Sequence, residues 1–176
     1  MLQTMHFDDE KATRYPTATD FFSTFNEEMH SLYLLSFLLT ADHDKAEQCL
    51  VSAMGECVEG IGIFMDWARP WTRGAVLRHA MQMIVPAPEH TDYVSLINLR
   101  RSAMGAESNP FAAILLLDAF ERFVFVMSVL EGQSDEECAI LLRCSRRDVM
   151  MARVLALKRL ANTDHAYAQV DTSAQA

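Results

Sequence analysis

Residues 120–160 read FERFVFVMSVLEGQ (120–133), SDEECAILLRC (134–144) and SRRDVMMARVLALKRL (145–160), three helical stretches with a stop or start signal at every junction. Gly132 is free to take the left-handed conformation that ends a helix. Ser134 followed by Glu137 is a capping box that opens the next helix, and Ser145 with Asp148 repeats the device. Two short helices joined by a tight turn form a helix-turn-helix, the arrangement that presents its second helix to a groove in DNA.

Working back from that stretch, the rest of the chain is also helical in pattern. From Asp20 to about Thr40, Phe21, Phe25, Leu32, Leu35 and Leu39 keep helical spacing. Asp42 and Asp44 suit the cap of a second helix, whose stripe is Ala46, Cys49, Leu50, Ala53, Met54, Cys57 and Val58, with Gly60 at its end. Pro70 fits the first turn of a third helix carrying Trp71, Val76, Leu77, Ala80 and Ile84. No segment sustains strand-type alternation, so the predicted fold is all-α, as two small helical domains joined by a linker. The expected divisions are a tail at 1–18, a helical domain at 19–85, a breaker-rich linker at 86–109, a helix-turn-helix domain at 110–162 and a frayed tail at 163–176. Within the linker only DYVSLINLRR (92–101) has the pattern of a short helix.

The chain has 176 residues, half of them apolar, and a formal net charge of −9. Acidity is concentrated in residues 1–60, with 11 acidic against 3 basic side chains. Residues 143–160 reverse the balance: Arg143, Arg146, Arg147, Arg153, Lys158 and Arg159 stand against Asp148 alone. This excludes a generally basic nucleic-acid-coating surface and leaves room for a local basic site. Cys49, Cys57, Cys138 and Cys144 form no CxxC pair and read as buried free thiols of a reducing compartment. The six histidines are scattered, and there is no phosphate loop or nucleophile turn, so the expectation is a non-enzyme without metal or cofactor. Asp42, His43 and Asp44 read as a helix start. The polar start HFDDEK lacks a secretory pattern, and apolar runs such as LYLLSFLL are too short to span a bilayer, so the expected location is cytoplasmic, without membrane insertion.

The layout resembles the smallest bacterial RNA polymerase sigma factors, the extracytoplasmic-function type. In their region 4 an acidic-basic pair opens a helix, which Glu121 and Arg122 match. Gly132 and Ser134 match the turn, Glu137, Ala139 and Leu142 the middle helix, and Ser145, Val149 and Leu160 the last. LLTADHDKAEQCLVSAM (38–54) is similar to the region 2 helix that grips the polymerase clamp. WARPWTRGAVLRHAMQMI (67–84) resembles the helix that opens the promoter. The resemblance implies core RNA polymerase and promoter DNA as partners, with an anti-sigma factor as a further one. It implies polymerase contact through Ala46, Glu47, Gln48, Leu50 and Val51, and contact with melted DNA through Trp71, Arg73, Arg78 and His79. Promoter recognition would fall to Ser145, Arg146, Arg147, Met150, Met151 and Lys158. The chain departs from the pattern at Arg143, where the family turns on glycine, and at Met150 and Met151, where it is basic or polar. Two other readings stay open: a degenerate sigma-like module that acts by protein binding, and a plain helix-turn-helix regulator.

Physical reading of the last helix separates its faces. At about 100° per residue, Val149, Ala152, Ala156 and Leu160 share the inward side with Arg153 at its edge. Arg147, Met151, Val154 and Lys158 lie opposite, flanked by Leu155. The row Met151, Val154 and Leu155 is expected to pack against the linker, the tail or the N-terminal domain, a protein-binding strip being the alternative. Arg146 and Arg147 oppose the helix dipole, at about 0.3–1 kcal/mol each, which favours a role beyond stability.

Overall fold

A computed structural model of the protein describes residues 15–59, 67–88 and 110–173. The described residues form seven α-helices and one π-helical turn, so the fold is all-α. The chain divides after Ile84 into two compact units. The predicted linker from 89 to 109, its helix at 92–101, Gly60, residues 1–14 of the N-terminal tail and residues 174–176 lie outside the described residues.

In the first unit, α1 (Ala18–Thr40), α2 (His43–Glu59) and α3 (Ala68–Ile84) pack pairwise as a three-helix bundle. Thr17 and Asp20 form a capping box that starts α1, two residues before the expected Asp20. Ala41 ends it in the left-handed conformation. Asp42 then caps α2, its Oδ1 accepting from the Lys45 backbone N–H at 2.9 Å. The predicted stripe of α2 is borne out in part: Ala46, Cys49, Ala53 and Cys57 are fully buried, while Leu50, Met54 and Val58 are half-buried. These four small residues let α2 approach its neighbours closely. Phe21, Phe25, Leu32 and Leu39 from α1 supply the bulk, each side chain stabilising the fold by about 1.5–3 kcal/mol on burial.

The second unit contains α4 (Pro110–Leu115), α5 (Ala119–Phe125), the π-helical turn Val126–Leu130, α6 (Asp135–Leu142) and α7 (Arg146–Ser173). Every residue from Phe120 to Met127 is buried, so α5 and the start of the π turn are its central strut. Asp118 caps α5 through its Oδ1, 3.0 Å from the Phe120 N–H. Gly132 takes φ +69°, the predicted left-handed stop. Ser134 and Glu137 form the predicted capping box of α6. The three acids of its first turn, Asp135, Glu136 and Glu137, complement the positive end of the helix. One element differs: α7 continues to Ser173, where the sequence predicts a tail from 163.

Candidate nucleic-acid interface

The turn between α6 and α7 is built from backbone bonds that the sequence supplies locally. Arg143 adopts φ 53° and ψ 44°, the left-handed region. The Cys144 N–H donates to the Ala139 carbonyl at 3.0 Å and the Arg143 N–H to that of Ile140 at 3.4 Å, the paired pattern of a Schellman motif. Arginine therefore occupies a position that glycine fills without strain. Ser145 then caps α7. Its N–H and hydroxyl donate to Asp148 Oδ2 at 3.0 and 2.6 Å, and its Oγ accepts from the Asp148 N–H at 3.1 Å. The hydroxyl of Ser145, a predicted DNA contact, is thus committed to holding the helix start.

The α7 stripe seats the helix as predicted, with Val149, Ala152 and Ala156 buried and Leu160 half-buried. Two of the six cations of 143–160 belong to the packing. Arg153 forms a two-pronged pair with Asp135 at the start of α6. Arg159 Nη1 lies 2.7 Å from Oε2 of the buried Glu121, tying α7 to α5. Burial pushes the Glu121 carboxyl above its ordinary pKa, and Arg159 opposes that shift. The neighbouring Arg122 is buried as well, donating to the Leu117 carbonyl at 3.0 Å. The acidic-basic pair at 121–122 is therefore structural.

The other four, Arg143, Arg146, Arg147 and Lys158, are exposed. From Arg146 to Ala161 the exposed positions of α7 are Arg146, Arg147, Met150, Met151, Val154, Leu157, Lys158 and Ala161. At about 100° per residue these occupy one continuous sector of roughly 140°. None of them is acidic. Met150, Met151, Val154 and Leu157 are 50, 55, 58 and 46% exposed, and Leu155 is half-buried; the linker at 89–109, one expected cover for the row Met151, Val154 and Leu155, lies outside the described residues. The sector can therefore offer cations to an anion and an apolar row to whatever lies between them.

The residues predicted to contact melted DNA sit differently. Arg73 donates to Ser31 Oγ at 2.9 Å and lies 3.7 Å from Glu28 Oε2. Arg78 pairs with Glu56 while its guanidinium lies over the Trp71 ring, 4.8 Å from the centroid. His79 Nε2 is 3.0 Å from the other Glu56 oxygen. Arg69, absent from the predicted set, joins them by pairing with Glu27 at 2.8 Å and Glu28 at 3.4 Å. The cationic groups of α3 thus face acids of α1 and α2, and Trp71 is half-buried under Arg78.

Of the predicted polymerase contacts, Ala46 is fully buried in the bundle and cannot serve as one. Glu47, Gln48 and Val51 are exposed on the outer face of α2, with Val51 at 65% exposure, and Leu50 is half-buried. Sequence reasoning missed a surface aromatic group at the junction of α1 and α2. There Phe37 and His43 stack with centroids 4.3 Å apart, and the Tyr33 hydroxyl lies 2.7 Å from His43 Nδ1. The spacing of Tyr33 and Phe37 at i and i+4 was the available signal.

No helix among the described residues is long and apolar enough to cross a membrane. Comparison of the chain with protein-family models, curated proteins and solved structures finds no match.

Proposed function

We propose that this protein is a sigma-factor-like transcription initiation protein, which engages core RNA polymerase and recognises promoter DNA with the exposed sector of α7. The observation that carries the reading is the absence of any acid from that sector on a chain of net charge −9. Arg146 and Arg147 stand at the start of the helix, where helix-turn-helix readers meet DNA, and their side chains form no ion pair among the described residues. Their cost to the helix dipole is offset when a phosphate or guanine edge accepts from them.

The division of labour differs from the one the resemblance implies. The cations of α3 would have to leave Glu28 and Glu56 before meeting a phosphate, so most DNA contact is assigned to α7. Glu47, Gln48 and Val51 remain as the polymerase-facing group. The chemistry of RNA synthesis would be the polymerase's own. A second reading, a module acting through protein contacts, draws on the exposed apolar members of the same sector.

The test is retention of core polymerase by the purified full chain, followed by transcription from promoters in its own genomic neighbourhood. The proposal predicts both. A chain that binds DNA but neither retains polymerase nor directs transcription is a helix-turn-helix regulator instead, and one that binds neither supports the protein-contact reading.

A further inference from the structure

The exposed sector of α7 has an internal order that the proposed DNA contact does not by itself require. Its cations lie at two ends, Arg146 and Arg147 at the helix start and Lys158 about 16 Å further along the axis at 1.5 Å per residue. Between them lie Met150, Met151 and Val154, with Leu157 beside Lys158. A major groove is about 12 Å wide, within the combined reach of an arginine and a lysine side chain at the two ends of such a helix. Cations so spaced suit the two phosphate strands that border the groove, and the row between them then faces the base edges. The only apolar group that a base pair displays there is the thymine C5-methyl. Methionine is well suited to such a contact, because its flexible, polarizable chain adapts to an irregular apolar surface.

We infer that Met150, Met151 and Val154 read thymine methyl groups in the major groove, with Arg146, Arg147 and Lys158 clamping the flanking phosphates. The inference rests on the proposed DNA-binding role and gives it a substrate class, thymine-rich duplex. Met150, Met151 and Val154 carry no amide, carboxylate or guanidinium, so hydrophobic contact is the discrimination left to this row. Burying one methyl is expected to change affinity about fourfold, the value of a single buried methylene.

The experiment selects binding sites for the full chain from a random 20-base-pair duplex pool. Each dT of the enriched site is then replaced singly by dU, which removes the methyl and keeps base pairing. The inference predicts an affinity loss of about three- to tenfold at one or more positions. It also predicts that the triple variant Met150→Ala, Met151→Ala, Val154→Ala binds dT and dU duplexes equally, with an unchanged circular dichroism spectrum. These side chains are exposed, so the variant is expected to fold. Enriched DNA whose affinity no dU substitution changes by twofold overturns the inference and leaves DNA binding intact. A dU penalty that persists in the triple variant overturns it too, by assigning the methyl to other residues. No enrichment at all overturns both this inference and the DNA-binding role.

Discussion

Replacing Arg143 with glycine should stabilise the C-terminal unit. Arg143 holds φ 53° and ψ 44° at the end of α6. An L-residue in that region carries about 1–2 kcal/mol of strain, which glycine lacks. Glycine gives back about 0.5–1 kcal/mol through the extra freedom of the unfolded chain. The net gain is about 0.5–1 kcal/mol, a rise of roughly 2–8 °C in melting temperature for a unit of this size. The arginine side chain is exposed and forms no ion pair among the described residues, so its loss subtracts little. Arg143→Ala is the control, because it removes the side chain but keeps the strain. The assay is amide hydrogen exchange at the buried Val149 and Ala152, alongside a thermal melt. Trp67 and Trp71, both tryptophans of the chain, lie in the N-terminal unit, so their fluorescence follows that unit separately. A glycine variant no more stable than the alanine variant would refute the left-handed turn and the α6–α7 geometry built on it.

Three further outcomes follow from other contacts. Glu121→Ala removes the 2.7 Å ion pair that ties α7 to α5 and should destabilise the C-terminal unit by about 1–3 kcal/mol, read as a lower denaturant midpoint; an unchanged midpoint would show that the pair adds nothing to the packing. Hydrogen bonds from the Ser134 hydroxyl and N–H hold the Glu137 carboxyl below its usual 4.5; the stability this gives is complete above that pH and lost as pH falls through the lower folded value. An NMR titration of the Glu137 carboxyl carbon with its midpoint at or above 4.5 would contradict the capping box. Burial pushes the Cys49, Cys57 and Cys138 thiols up to about 11, so iodoacetamide at neutral pH should label the half-buried Cys144 first in the folded chain. Equal labelling of all four without denaturant would be incompatible with this packing.

What the sequence made legible was local. Ser134 with Glu137 and Ser145 with Asp148 lie three residues apart, so their reciprocal bonds follow from helix geometry alone. Gly132 marks its own turn, and the Val149, Ala152, Ala156 stripe follows from helical periodicity. Arg143 shows that a left-handed stop need not be glycine, because the backbone bonds from residues 143 and 144 secure the turn whatever the side chain. The pairings that decide which cations are available are not local. Glu56 meets Arg78 across 22 positions and Asp135 meets Arg153 across 18, separations that periodicity does not resolve. Hence Arg73, Arg78 and His79 read as available from the sequence and prove to be paired. Ala46 is the opposite case: its place on the buried stripe was visible in the spacing, and only the family resemblance made it a contact.

The proposed DNA contact puts the exposed face of α7 against phosphates. Its most direct measurement is the dependence of DNA affinity on salt for the full chain and for the double variant Arg146→Ala, Arg147→Ala. Three phosphate contacts, by Arg146, Arg147 and Lys158, predict that log affinity falls against log salt with a slope of about −2.7, and the double variant should reduce that to about −0.9. A slope that the double variant leaves unchanged would contradict the claim.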